Sequence, residues 1–158
     1  MSREAQFSIN YDGNESGNAD AVLNAGSDRG FIVDAVEIKW QPHSMSSSSD
    51  ELPYLATARY TGSASGGDAG TVFNHTDGVT AATSARLAPT TLGTGAIIGL
   101  QYFPGSASYT GSSWYLHGGE YLADFNGFPI EIAKNNSLWV RVANVASVTI
   151  YFTENIVP

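Results

Sequence analysis

Ser137-Leu138-Trp139-Val140-Arg141-Val142, followed after a break at Asn144 by Ser147-Val148-Thr149-Ile150-Tyr151-Phe152-Thr153, is the stretch that decides the fold class. In the first segment Leu138, Val140 and Val142 share one face while Trp139 and Arg141 take the other, the two-residue period of a strand with one side buried. In the second, Val148, Ile150 and Phe152 oppose Thr149, Tyr151 and Thr153, a β-branched and aromatic composition suited to a pleated surface. The short connection from Ala143 to Ala146 predicts an antiparallel hairpin between them. Just upstream, Phe128-Pro129-Ile130-Glu131-Ile132 reads as a third strand, and Lys134-Asn135-Asn136 as the polar turn that delivers it into the hairpin. A three-strand meander is therefore expected to close the chain.

Working outward, Phe7, Ile9 and Tyr11 alternate with Ser8 and Asn10 as a first strand. From Phe31 to Trp40, Ile32, Val36, Ile38 and Trp40 line one face, with Glu37 and Lys39 opposite. Asp34 interrupts that apolar face, and Phe31, Val33 and Ala35 add apolar groups on the other. Either a bulge shifts the register near Asp34-Ala35 or the strand is covered on both sides at its start. Gln41-Pro42 ends it, and Ser44 to Glu51 is a polar low-complexity loop. Tyr54 to Tyr60 and Thr71 to His75 read as further strands. Thr80 to Pro89, with four Ala residues, fits a single helical turn stopped by Pro89. Ala96 to Phe103 is a near-continuous apolar strand closed by Pro104-Gly105, and its composition implies cover on both faces.

No window of the chain holds a sustained helical period. About eight strands separated by turn signals predict an all-β, antiparallel two-sheet sandwich of the jelly-roll kind. Residues 1–25 read as an N-terminal strand and polar arm that orders on a neighbour, and residues 26–158 as a single jelly-roll domain.

Composition agrees with this class. The 158 residues amount to one domain, and 42% hydrophobic content is enough to bury a core. Only 14% of residues are charged, and 17 glycines with 11% aromatics suit a strand-and-turn protein. The net charge of −8 repels a phosphate backbone, and no Lys/Arg cluster offsets it locally, so nucleic acid is not an expected partner. Cysteine is absent, which removes disulfides and thiolate metal sites. The first residues lack the apolar segment of a signal peptide, and no run approaches the ~18 apolar residues of a membrane span. A soluble protein made in a cytoplasm is expected, with no membrane partner. The sequons at Asn14, Asn74 and Asn135 then carry no glycan.

Sites of chemistry are sparse. From Asp12 to Asp20 polar residues fall at every second position, as at the start of a calcium loop, but Leu23 stands where the bidentate Glu is required, so an ordinary polar loop is expected. The glycine-rich Thr61–Gly70 segment matches neither phosphate-cradle spacing and reads as a flexible connection. His43, His75 and His117 have no metal-ligand spacing. There is no Gly-x-Ser-x-Gly elbow, and Asp50, Glu51, Glu120, Asp124 and Glu131 form no acid/base pair. No catalytic residue, metal or cofactor is assigned, and the chain does not read as an enzyme.

Several segments together resemble a known family. They are Val36-Glu37-Ile38-Lys39-Trp40, the Gly66–Val72 run, Ala81-Ala82-Thr83-Ser84-Ala85-Arg86, the Trp114 region, and Pro129–Ile132 with Ser137–Val142 and Glu154. They resemble the jelly-roll capsid decoration (cement) proteins of tailed bacteriophages, over roughly residues 30–155, in architecture rather than in any site motif. The resemblance implies a virion protein on the outer capsid surface, with the major capsid protein as partner and a homotrimer as its assembly. Trp139, Tyr151 and Trp114, aromatic residues at positions expected to be polar, are then the interface residues. The alternative is that loops of the same chain cover them. A different function, a carbohydrate- or host-receptor-binding tip of a tail fibre, would use Tyr109, Trp114, Tyr115 and His117 in the Ser106–Gly119 loop to stack on sugar rings.

Overall fold

A computed structural model describes residues 6–12, 19–40, 43–45, 54–102, 107–110, 113–125, 129–142 and 146–155. All regular structure among them is β. One six-stranded sheet comprises β1 (Phe7–Asp12), β3 (Gly30–Trp40), β7 (Val72–Asn74), β12 (Gly119–Asp124), β13 (Ile130–Ile132) and β15 (Ala146–Asn155), in the order β12-β3-β15-β1-β7 with β13 also on β3. The facing six-stranded sheet holds β2 (Ala19–Asn24), β5 (Tyr54–Thr61), β6 (Asp68–Gly70), β8 (Ser84–Leu87), β9 (Gly95–Tyr102) and β14 (Asn136–Val142), in the order β6-β8-β2-β14-β5-β9. A third sheet of three strands joins β4 (His43–Met45), β10 (Ala107–Thr110) and β11 (Ser113–Leu116) in the order β10-β11-β4.

The pairing is nested from the chain ends inward: β1 with β15, β2 with β14, β3 with β12 and β13, and β5 with β9. That is the jelly roll expected from the sequence. Twelve strands rather than about eight make up the two sheets. The additions are β2, β6, β8 and β12: β6 and β8 have three and four residues, too few to display a period, while β2 and β12 have six each and fall in stretches read as polar loop or as a lead into the last strands. One of them, β8, occupies the Ser84–Leu87 part of the segment expected to make a helical turn.

The closing hairpin and meander do not form. Strand β14 pairs with β2 and β5 in one sheet, while β13 and β15 pair with β3 in the other. Each of these strands has the apolar face that the alternation predicts. Alternation says which residues turn inward but not which of two facing sheets a strand joins. The last strands therefore cross between layers.

Strand β3 resolves the ambiguity at Asp34. Tyr151 pairs with Ala35 and Phe152 with Val33, so Asp34 is an extra residue, a bulge opposite the step between Tyr151 and Phe152. The bulge flips the side-chain parity. Phe31 and Val33 face the core before it, and Val36, Ile38 and Trp40 after it. The Asp34 carboxylate accepts a hydrogen bond from Thr153 Oγ1 at 2.7 Å, and its carbonyl accepts the Phe125 N–H at 3.1 Å. The neighbouring strand is interrupted at the same level, β12 ending at Asp124 and β13 starting at Ile130.

Residues 7–12 and 19–24 are interior strands rather than an arm. Strand β1 lies between β15 and β7, β2 lies between β14 and β8, and Phe7, Ile9, Ala21 and Leu23 belong to the main core. The boundary expected at residue 25 has no counterpart in the strand pairing. The sequon, polar-loop and calcium-loop readings at residues 13–18 lie outside the described residues, as does most of the Ser-rich segment.

Phe152 anchors the core. Its ring centroid lies 5.5 Å from Phe7, stacked, and 5.5 Å from Phe31, edge-on, and all three side chains are fully buried. Phe152→Ala is expected to cost about 3–5 kcal/mol, because the cavity left between three strands cannot close without moving the sheet. Urea denaturation followed by circular dichroism measures it, and a loss under ~1 kcal/mol would contradict this packing.

Candidate functional site

On the outer face of the second sheet, β14 presents Trp139 and Arg141. Trp139 stands between Val22 of β2 and Ala58 of β5, and Arg141 between Asp20 and Ala56. Arg141 donates from Nε and Nη2 to the two Asp20 carboxylate oxygens at 2.6 and 2.7 Å, a bidentate pair. Its guanidinium carbon sits 4.8 Å from the Trp139 ring centroid, adding a cation–π contact.

Trp139 is only 8% exposed. The cover comes from this chain: Ala64 and Leu92 belong to the same apolar cluster as Val22, Tyr54, Ala58 and Trp139. The glycine-rich segment that carries Ala64, expected to be flexible, is pinned. Asn24 Nδ2 donates to the Ala64 carbonyl at 3.0 Å, Ala64 N donates to Asn24 Oδ1 at 2.8 Å, and Ser65 bridges to Thr91. Gly67 has φ +66°, and a Cβ there would overlap the carbonyl groups of Leu87 and Ala88, so only glycine makes this turn.

Tyr151 lies on the outer face of the other sheet, half-buried, with its ring 6.5 Å from that of His75. Its surroundings are polar. His75 Nε2 and Ser8 Oγ are hydrogen-bonded at 2.8 Å, Asn10 Nδ2 donates to Thr149 Oγ1 at 2.8 Å, and Lys39 pairs with Glu37 at 2.9 Å. Trp114 falls in β11 of the third sheet. The three residues expected to share an interface thus sit on three different sheets.

The expected sugar-binding loop is a small sheet. Tyr109 is paired with Trp114, and Tyr115 with Ser108 on one side and Ser44 on the other. Tyr115 and His117 are exposed, with ring centroids 5.3 Å apart in an edge-on arrangement. The Trp40 Nε1–H donates to the His117 carbonyl at 2.6 Å, fixing the base of this sheet to β3. Among the described residues no three His, Asp or Glu side chains gather in a metal-binding group.

The surface the sequence reading missed is the flank where β9 and β12 end their sheets. The opposite flank is closed, because β6 and β7 terminate the two sheets and only Thr71 separates them. At the open flank Ile97 is 65% exposed, Ile98 40% and Leu122 57%. A cleft of about 550 Å³ opens there between β9 and β13, lined by Tyr60, Gly95, Ala96 and Ile132, with Arg59 and Glu131 exposed beside them. The apolar run of β9 was expected to be covered on both faces. Its pattern does signal a buried strand, but Ile97 is left 65% exposed.

Across the core, Tyr11 donates its hydroxyl to the Val140 carbonyl at 3.3 Å, tying the two sheets together. Burial, and secondarily the Asp20 carboxylate, hold its phenol well above the ordinary tyrosine value. In the unfolded chain this group ionises near pH ~10, and in the folded chain it stays protonated. Above that pH the unfolded state binds fewer protons, so stability falls as pH rises through and beyond ~10. Spectrophotometric titration of the phenolate band should show Tyr11 ionising only together with unfolding, and Tyr11→Phe should flatten the alkaline loss of stability.

Comparison of the chain with family models, with curated proteins and with solved structures returned no match.

Proposed function

We propose that this chain is a virion structural protein, a bacteriophage capsid decoration protein that binds the outer shell as an oligomer. The observation that carries the reading is the open flank: a jelly roll closed on one side leaves Ile97, Ile98 and Leu122 exposed on the other. Apolar side chains concentrated on one flank, on a chain of net charge −8, suit a protein whose working state is an assembly. The solvated outer face around Tyr151, Asn10 and Lys39 suits a surface that remains in water after docking. The resemblance in the Val36–Trp40 and Ser137–Val142 strands supplies the virion context, and the major capsid protein is the partner it implies.

Co-sedimentation of the purified protein with emptied tailed-phage capsids and, in parallel, with host cells tests this. Saturable binding to capsids supports decoration. Binding to cells without binding to capsids overturns it and favours a receptor-binding tip.

That second reading rests on the exposed Tyr115–His117 pair, since a tyrosine ring beside an imidazole offers a stacking face and a hydrogen-bonding partner for a sugar. If it holds, tryptophan and tyrosine fluorescence should shift on titration with host surface polysaccharide. Tyr115→Ala should then weaken the binding about tenfold or more, the loss of one stacking contact. An emission spectrum indifferent to every polysaccharide removes the reading.

A further inference from the structure

We infer that a second copy of this chain covers β9, adding a strand of its own to the free edge of the sheet. The strands at the edges of the two sheets differ in how they are protected. Strands β6 and β7 have three residues each, and β12 carries Glu120 and Asp124. Short length and charge are the ordinary means by which a sheet edge avoids unwanted pairing. Strand β9 uses neither. It runs eight residues, Gly-Ala-Ile-Ile-Gly-Leu-Gln-Tyr, with no acidic or basic side chain. Among the described residues it pairs only with β5, so the backbone groups along its other side are open to a new strand.

Charge identifies the occupant. Two copies bring −8 each, so contact between them is repulsive over most of their surface. The β9 flank is the exception. The strand is neutral, and the cleft beginning at Gly95 and Ala96 carries one exposed group of each sign, Arg59 and Glu131. A copy meeting a copy along the β9 edge meets no net charge, and burying Ile97 and Ile98 supplies the apolar driving force, while Glu120 and Asp124 keep the β12 edge out of the contact. A strongly basic partner would instead be drawn to the acidic remainder of the surface. The inference names the contact through which the proposed decoration oligomer forms, and it is tested without capsids.

The test is sedimentation velocity on the full chain across the micromolar range, for wild type, Ile97→Lys and Phe73→Lys. Phe73 is the control, exposed on the closed flank. Wild type and Phe73→Lys should form the same discrete oligomer. Ile97→Lys, with a circular dichroism spectrum like wild type, should weaken association at least about 100-fold, because each contact then buries a cation among apolar groups. If that variant fails to fold, Ile97→Thr at the same position should weaken association in the same direction. A wild type that stays monomeric overturns the inference, as does an oligomer unchanged by Ile97→Lys or by Ile97→Thr. A monomer that still saturates capsids would leave the decoration reading standing while removing this contact.

Discussion

Phe152 packs between Phe7 and Phe31, and through that contact the last strand holds the first and the third in one sheet. Dispersion and burial favour the cluster, but its position matters as much as its energy. Strand β15 pairs with β3 over almost its whole length on one side and with β1 on the other. Once the first and last strands are neighbours, the next pairs inward, β2 with β14 and β3 with β12, follow as a double strand folding over itself. The jelly roll is thus a consequence of joining residues far apart in the chain, with the loop-closure entropy that this costs offset by one continuous core.

The Asp34 bulge lets a single long strand serve that core. Without the extra residue, either Phe31 and Val33 or Val36, Ile38 and Trp40 would point to solvent. Thr153 neutralises the cost of placing the Asp34 carboxylate at a buried position by donating a hydrogen bond to it. The same end of β15 is held by Glu154, whose Oε1 accepts the Thr83 N–H at 2.6 Å, while Arg29 lies 3.7 Å from Oε2. Polar groups here fix the register, and apolar groups supply the stabilisation.

The two flanks of the sandwich are finished differently. The segment between β5 and β9 forms β6, β7 and β8, which extend both sheets and close one side. Its glycine-rich part also covers Trp139. The other side keeps a neutral strand and a cleft, and it is where Ile97, Ile98 and Leu122 are exposed. An aromatic residue at an outward position therefore did not by itself mark exposed apolar surface. Trp139 is covered by its own chain, while Ile97, an aliphatic residue in an apolar run, is 65% exposed.

Local pattern alone determined that the chain is all-β, that it forms a two-layer sandwich, and where most long strands lie. It also located the irregularity at Asp34, because side-chain alternation is a property of consecutive residues and needs no partner to be read. The short strands β6 and β8 stayed illegible, since three or four residues carry too little period. Which sheet each strand joins, and hence the absence of the β14–β15 hairpin and the inclusion of Phe7, Ile9, Tyr11, Ala21 and Leu23 in the core, was decided by tertiary structure. So was the exposure of Ile97. An apolar run records that a strand is suited to burial, whereas whether anything covers it depends on the number and position of neighbouring strands, a quantity set only when the whole chain has packed.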